Sequence, residues 1–512
     1  MVDINSYIAL HKFGLGARQG EAAQVSSNPQ SWLMAQLTDV SSTLDEYSLA
    51  SSQDGIALFY DYLRAKRAEN NADQPVLATS VNKKDRLAAF VADIDRLRST
   101  EVMIDDNGVR GTSLADASNT FLKKKTGDLS GIAANKPSHT LLQQIFTEHY
   151  AEIGVRTAHA ILTPASFREA LVRFWSDHFN VYANKSLLAR VTAATMEREA
   201  IRPNVTGKFV DMLIAVESHP AMLIYLDNWI SVGPNSFAGK EYGLGINENL
   251  ARETMELHTL GVDGGYNQED IIAYAKAITG WSFGNPNIQP ENMGSFVFEP
   301  LLHEPGVVTV MGTAYTGAGV DQGLAVLTDL AAHPSTAKFI AGKLARHFHS
   351  DNPPQSLIDR LELAFNISGG DLLVVSSSLV TAPEMWQGSF SKLRNSEEFA
   401  IAALRAFGFD TLTPSQSVFV FDAITQIPFS YHAPDGWPKD EANWASSSIL
   451  SARINLANLL SGYISGPNDP LAAAQELFGP MLTQFTADAI SAASSIEQGY
   501  TLLMMSPEFQ RT

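Results

Sequence analysis

Segment after segment of this 512-residue chain repeats apolar residues three and four positions apart, and that spacing commits most of it to helices. "DGIALFYDYLRAKRAEN" and "KKDRLAAFVADIDRLRS" show the pattern with charges between the apolar positions. "SFREALVRFWSDHF" follows Pro164, a residue suited to a helix start, and sets Phe167, Leu171 and Phe174 on one stripe. Strand signals are few. "GSFVFEP" and "GVVTVMG" are short β-branched or aromatic runs bounded by glycine and proline, and they read as the two arms of one hairpin. The expected fold is therefore mainly α, a large bundle-like body of many helices with one small β-hairpin near 296–312.

Along the chain the reading gives an N-terminal helical segment at 1–102 and an irregular excursion at 103–138. A central helical core with the candidate site follows at 139–285, then a hairpin and loop insertion at 286–320 and a C-terminal helical segment at 321–512. These parts form one continuous large domain. The excursion is polar, dotted with glycine and too long for an ordinary loop in a compact domain.

Composition narrows the function. A net charge of -19 repels nucleic acid and anionic lipid, and no run of Lys or Arg offsets it. The chain has no cysteine, which removes disulfides, thiolate metal sites, Fe–S clusters and a cysteine nucleophile. No window approaches the ~18 uninterrupted apolar residues of a membrane span. The stretch "MVDINSYIALHKFGLG" has neither a basic n-region nor an apolar h-region, so no secretory signal is read in the chain as given. The setting is then cytoplasmic, or exported with a leader removed.

Charge concentrates in "NENLARETMELHTLGVDGGY", residues 247–266. At 100° per residue, Leu250, Ala251, Thr254 and Leu257 share a face with His258, while Glu248, Arg252 and Glu256 form a ladder opposite. Asn249 and Glu253 lie beside that ladder. Asn247 is placed to cap the helix and Gly261 to end it. Glu253 and Glu256, three apart, converge; His258 points away from Glu256, which excludes a single-helix metal motif. The plain structural reading is an ion-paired face with a core histidine bonded to a backbone carbonyl. The functional reading brings Glu253 and Glu256 against groups from other helices. "RFWSDHFNV" offers Arg173, Asp177 and His178, with Arg173 and Asp177 spaced to pair; "MEREAIRP" offers Glu197, Glu199 and Arg202.

Other motifs fail on context. "GLGARQG" and "GPNSFAGKE" miss the spacing of nucleotide-binding loops, so no nucleotide cofactor is expected. "GWSFG" matches a nucleophile motif but follows a helix, which argues against Ser282 as nucleophile. Trp281 and Trp437, each beside a glycine, read either as sugar-stacking platforms or as plugs onto the core. His303 is a turn histidine.

The ordered set "ALHKFGLGARQGE", "FWSDHFNV", "EREAIRP", "HPAMLIYLDN", "NENLARETMELHTLGVDGGY", "AITGWSF", "HEPG", "HPSTAKFIAGKLARHF", "PDGWP" and "SPEF" resembles the bacterial "domain of unknown function 1800" family from Ile8 to Phe509. His11-Lys12 stand where relatives usually have Asn-Arg or Arg-Leu, and Asp177 where Asn is common. The resemblance implies a helical bacterial protein, an extracytoplasmic setting and a sulfatase- or phosphatase-like protein partner; it implies no particular reaction.

Combined, these features lead to an enzyme whose acid–base groups are Glu253, Glu256, His178 and Glu199, with Asn249, Arg252, Arg202 and Trp281 on the substrate side. Its substrate class is sugar-like or anionic. A divalent metal held by Glu253, Glu256 and His178 is the variant. The competing expectation is a non-catalytic scaffold.

Overall fold

The computed structural model describes residues 3–25, 28–39, 44, 47–70, 85, 87, 88, 91, 136–387, 390–464 and 469–512. The excursion at 103–138 thus lies outside the described residues except for its last three, and so does nearly all of the periodic run at 83–99.

The architecture is helical, as the periodicity dictates. Helix Ser52–Glu69 opens with a capping box between Ser51 and Asp54 and buries Ile56, Phe59, Tyr60 and Leu63, the i, i+3, i+4, i+7 stripe. Helix Pro137–Leu162 starts on proline and packs against Ser52–Glu69, Ser396–Ala406 and Pro414–Ala423. Its contact with the last of these depends on Gly154, where a Cβ would lie 2.8 Å from Pro414 Cα. Helix Ser166–His178 is buried along most of its length. Its Phe167 meets Phe13 and Phe348 edge-on, with ring centroids 5.5 and 5.7 Å away. Phe167→Ala would open a cavity there and cost about 3–5 kcal/mol.

Both expected strand runs form, in two hairpins rather than one. Strand β1 (Trp281–Phe283) pairs antiparallel with β2 (Phe296–Phe298), and β3 (Val308–Val310) with β4 (Thr313–Tyr315). The expected pairing of 296–298 with 308–310 gives way to local turns. Met311 and Gly312, at φ 49° and 81°, make a two-residue reversal that returns the chain directly onto β3.

Among the described residues three single-turn π segments interrupt the helical order, at Ala9–Phe13, Glu197–Ile201 and Thr254–His258. Such turns are rare and concentrate at functional sites. The chain also closes on itself. Residues 510–512 form a short antiparallel contact with 391–394, where Lys392 N–H donates to Thr512 O at 3.0 Å and Arg394 N–H to Gln510 O at 2.9 Å. His11 joins the same region, its Nε2 2.9 Å from Leu477 O and its Nδ1 3.2 Å from Arg394 Nη2. Among the described residues no helix is long and apolar enough to cross a membrane.

Candidate functional site

The charged stretch at 247–266 folds as an α-helical turn, Asn249–Glu253, that passes into the π segment Thr254–His258. Asn247 Oδ1 accepts the Asn249 N–H at 2.9 Å, and Gly261 takes the left-handed φ of 82° that ends the element. The π turn changes which residues meet. With i→i+5 bonding the later residues turn around the axis, and Glu253 comes within electrostatic reach of His258. The ladder is cut as well: Arg252 pairs with Glu248 at 3.0 Å, and Glu256 falls outside it.

His258 is not a carbonyl-bonded core histidine. Its Nδ1 lies 2.6 Å from Glu217 Oε1, on helix Phe209–Glu217, and both side chains are fully buried. A carboxylate only accepts, so Nδ1 carries a proton and donates it to Glu217. The His258 Nε2 has no hydrogen-bond partner among the described residues. Against it lies His178, its Nε2 3.2 Å from His258 O and its Nδ1 2.8 Å from Lys343 Nζ. Lysine donates, so His178 accepts at Nδ1 and donates from Nε2. Burial, then Lys343 and His258, hold His178 well below the usual imidazole range. Lys343 itself is pushed down to about 8 by burial, against the pull of Asp435.

Glu253 completes the group. Half-buried, it makes no hydrogen bond or ion pair among the described residues. Burial raises its pKa, Glu256 and Asp435 raise it further, and His258 and Arg252 oppose. The same two carboxylates, Glu253 and Asp435, add to burial in raising Tyr225, whose hydroxyl donates to His432 O at 2.8 Å. Asp435 is therefore felt by Lys343 on one side and by Glu253 and Tyr225 on the other.

Lys343 also lines an open cleft of about 1030 Å3, solvent-filled mouth included. Its walls are the end of helix Ser166–His178, the end of helix Pro334–Phe348, the start of helix Ser396–Ala406 and the loop 426–444. Among the described residues the lining carries six cations, Arg156, Arg173, Lys343, Arg346, Lys392 and Lys439, against the carboxylates Asp177, Glu397 and Glu398. In a chain of net charge -19 this is a local reversal of sign. Trp437 contributes an aromatic wall, 4.6 Å from the Tyr431 ring. The loop is tied down by Asn180 Nδ2, which donates to Tyr431 O and Ala433 O, and by Asp177 Oδ1, which accepts the Trp437 N–H at 2.8 Å. Gly436 is required: its φ is 75°, and a Cβ would lie 2.2 Å from Asp177 O.

The structure sorts the expected site residues. His178 packs near His258, with ring centroids 6.2 Å apart, and Glu253 is within its electrostatic reach, while Glu256 acts on Glu253 and Tyr266. Glu199 is held elsewhere, Oε1 accepting Ser52 N–H at 2.8 Å and Oε2 lying 3.0 Å from His219 Nε2. Arg202 is fully buried between Glu169, which it grips with both Nη groups at 2.7 and 2.9 Å, and Glu197. Arg173 pairs with Glu397 rather than with Asp177, whose other oxygen meets Lys439. Arg156 bridges Glu197 and Glu397, so three arginines and three glutamates close on one another. Asn249 is exposed, and Arg252 is occupied by Glu248 and Gln268. Trp281 is core, with no exposed surface and a T-shaped contact to Phe296; Ser282 is buried beside it. His303 Nδ1 sits 2.9 Å from Thr279 O.

His178 spends one ring nitrogen on His258 O and the other on Lys343, so a metal would take Nδ1 only by displacing Lys343. Among the described residues no three His, Asp or Glu side chains converge in a metal-holding group. Sequence reasoning missed Glu217, Lys343 and Asp435. Lys343, Arg346 and His347 do share one helical face of "KLARHF", three and four apart, and that signal was readable. Glu217 is an unremarkable helix-end residue by sequence.

Neither curated proteins nor solved structures give a match to this chain. The model of the family described as "Protein of unknown function (DUF1800)" matches residues 8–511, and the chain belongs to that family.

Proposed function

We propose that the chain is an acid–base enzyme acting on an anionic, sugar-sized substrate. The observation that carries this is the double position of Lys343, on the wall of a cationic cleft and 2.8 Å from His178 in the buried imidazole cluster. Arg346, exposed and without an ion pair among the described residues, and Lys343 hold the anionic group. Trp437 offers a face for a sugar ring to stack on. Glu253, whose proton affinity burial raises, is the proton donor. His258, held at Nδ1 by Glu217 and unbonded at Nε2 among the described residues, is the proton acceptor.

The test is a panel of uronic acids, sugar phosphates and sulfated sugars, scored by calorimetry and turnover. Lys343→Met should weaken binding at least tenfold, the ~1.4 kcal/mol of one lost charge contact. Glu253→Gln should bind normally and turn over nothing. If Glu253→Gln instead lowers the melting temperature and leaves binding and turnover intact, the residue is architectural and the enzyme reading falls.

A partner role, with a sulfatase- or phosphatase-like protein as the expected companion, has one observation behind it. Leu363 and Ile367, one turn apart on helix Gln355–Ser368, are 60% and 75% exposed. Copurification of such a partner, lost on Leu363→Asp, would favour it.

A further inference from the structure

Away from the cleft, a second pocket of about 490 Å3, mouth included, opens between helix Ser52–Glu69, helix Pro137–Leu162 and the turn after Leu187–Arg190. Its inner wall carries Arg190, only 4% exposed. The guanidinium lies over the Phe146 ring, 4.4 Å from the centroid, and Nη2 donates to Asn184 Oδ1 at 2.5 Å. Among the described residues Nε has no hydrogen-bond partner and the group meets no carboxylate or backbone carbonyl at bonding distance, with the Tyr150 and Tyr182 side chains as its electrostatic neighbours. Other buried arginines differ. Arg156, Arg173 and Arg202 meet glutamates, while Arg394, Arg405 and Arg453 donate to backbone carbonyls. A buried guanidinium without a counter-charge is costly, and a ligand carboxylate would remove that cost.

Beside Arg190 lies His149, equally buried, its Nδ1 also without a partner. Burial and the neighbouring guanidinium hold it down to about 3, so it adds hydrogen-bonding capacity and no charge. The outer wall has the opposite sign. Of its three carboxylates, Asp54 is engaged by Ser51 and Glu152 by Arg198, with N···O distances of 2.7 and 3.1 Å. Glu148, half-buried, has no ion pair or hydrogen bond among the described residues. A simple anion would be repelled by this wall and a simple cation by Arg190.

We infer that this pocket binds a small zwitterion, with its carboxylate on Arg190 and its ammonium on Glu148. The inference is independent of the acid–base reading. It is tested on the full chain by calorimetry and thermal shift with L-alanine, L-glutamine and glycine, using acetate and methylamine as the two half-molecules. At least one amino acid should bind saturably and raise the melting temperature, with acetate and methylamine at least tenfold weaker. Glu148→Gln should weaken the amino acid about tenfold and leave acetate unchanged, and Arg190→Gln should abolish both. No saturable binding of any of the three amino acids overturns the inference. So does acetate binding as tightly as they do, or amino-acid binding that survives Glu148→Gln unchanged, a variant that leaves the core intact.

Discussion

Two regions of this molecule are built from the same side chains and end in opposite states. In the first, Glu169, Glu197 and Glu397 are matched by Arg156, Arg173 and Arg202, and Glu169 and Glu197 bind guanidinium groups through both oxygens. In the second, around the π turn, Glu253 has no hydrogen-bonding partner and His258 keeps an unbonded Nε2 among the described residues. Mutual pairing makes a charged cluster structural: both oxygens of Glu169 and of Glu197 are already engaged by arginine. Incomplete pairing in a half-buried place does the reverse, because it leaves a proton-handling group whose protonation the surroundings have already shifted.

Acid should separate the two regions with the largest effect. His178 is held well below its ordinary range by burial, and His11 and His149 are lowered to about 3. The unfolded chain binds protons at these histidines below ~6.5 while the folded chain does not. Stability is therefore full above ~6.5 and falls by about 1.4 kcal/mol per pH unit for each histidine below it. Glu197, lowered to about 2 by Arg156, Arg202 and Arg173 against its burial, is stabilising above ~4.5 and fails only as the pH drops from there toward 2. Urea unfolding from pH 8 to pH 4 checks the order. A flat profile between 7 and 5 would remove the buried neutral imidazoles from the account.

Next in size is Glu197→Gln, which strands Arg156 and Arg202 partly unpaired in the interior and should cost about 3–5 kcal/mol in denaturant unfolding. Glu253→Gln should cost almost nothing by the same measurement; equal losses would erase the contrast between the regions. Glu217→Gln lies between, about 1.5–3 kcal/mol for a charge-assisted bond to His258. It should also remove a far-downfield imidazole proton resonance from the NMR spectrum. Smallest is Arg252→Ala, a surface i, i+4 pair worth about 0.3–0.5 kcal/mol and sensitive to salt.

The helical class was legible because burial of one stripe leaves its period in the sequence, as at Ile56, Phe59, Tyr60 and Leu63. The strand runs were legible too, but their partners were not: β-branched composition marks a strand, whereas the Met311–Gly312 reversal decides what it pairs with. At the site, Glu253, Glu256 and His178 stood out by residue type. The position of His258 did not, because a π turn displaces every later residue around the axis and leaves no compositional trace. Arg202 and Glu199 misled for a related reason. Their partners Glu169, Ser52 and His219 come from other elements, and nothing in the local sequence says that the bonds are already complete.

The seam between 391–394 and 510–512 bears on how such a chain matures. Lys392 stands on the cleft wall, yet its backbone is held by residues made more than a hundred positions later. A ribosome must deliver that distant stretch before the wall is fixed, so the cleft stays incomplete long after residue 392 has emerged.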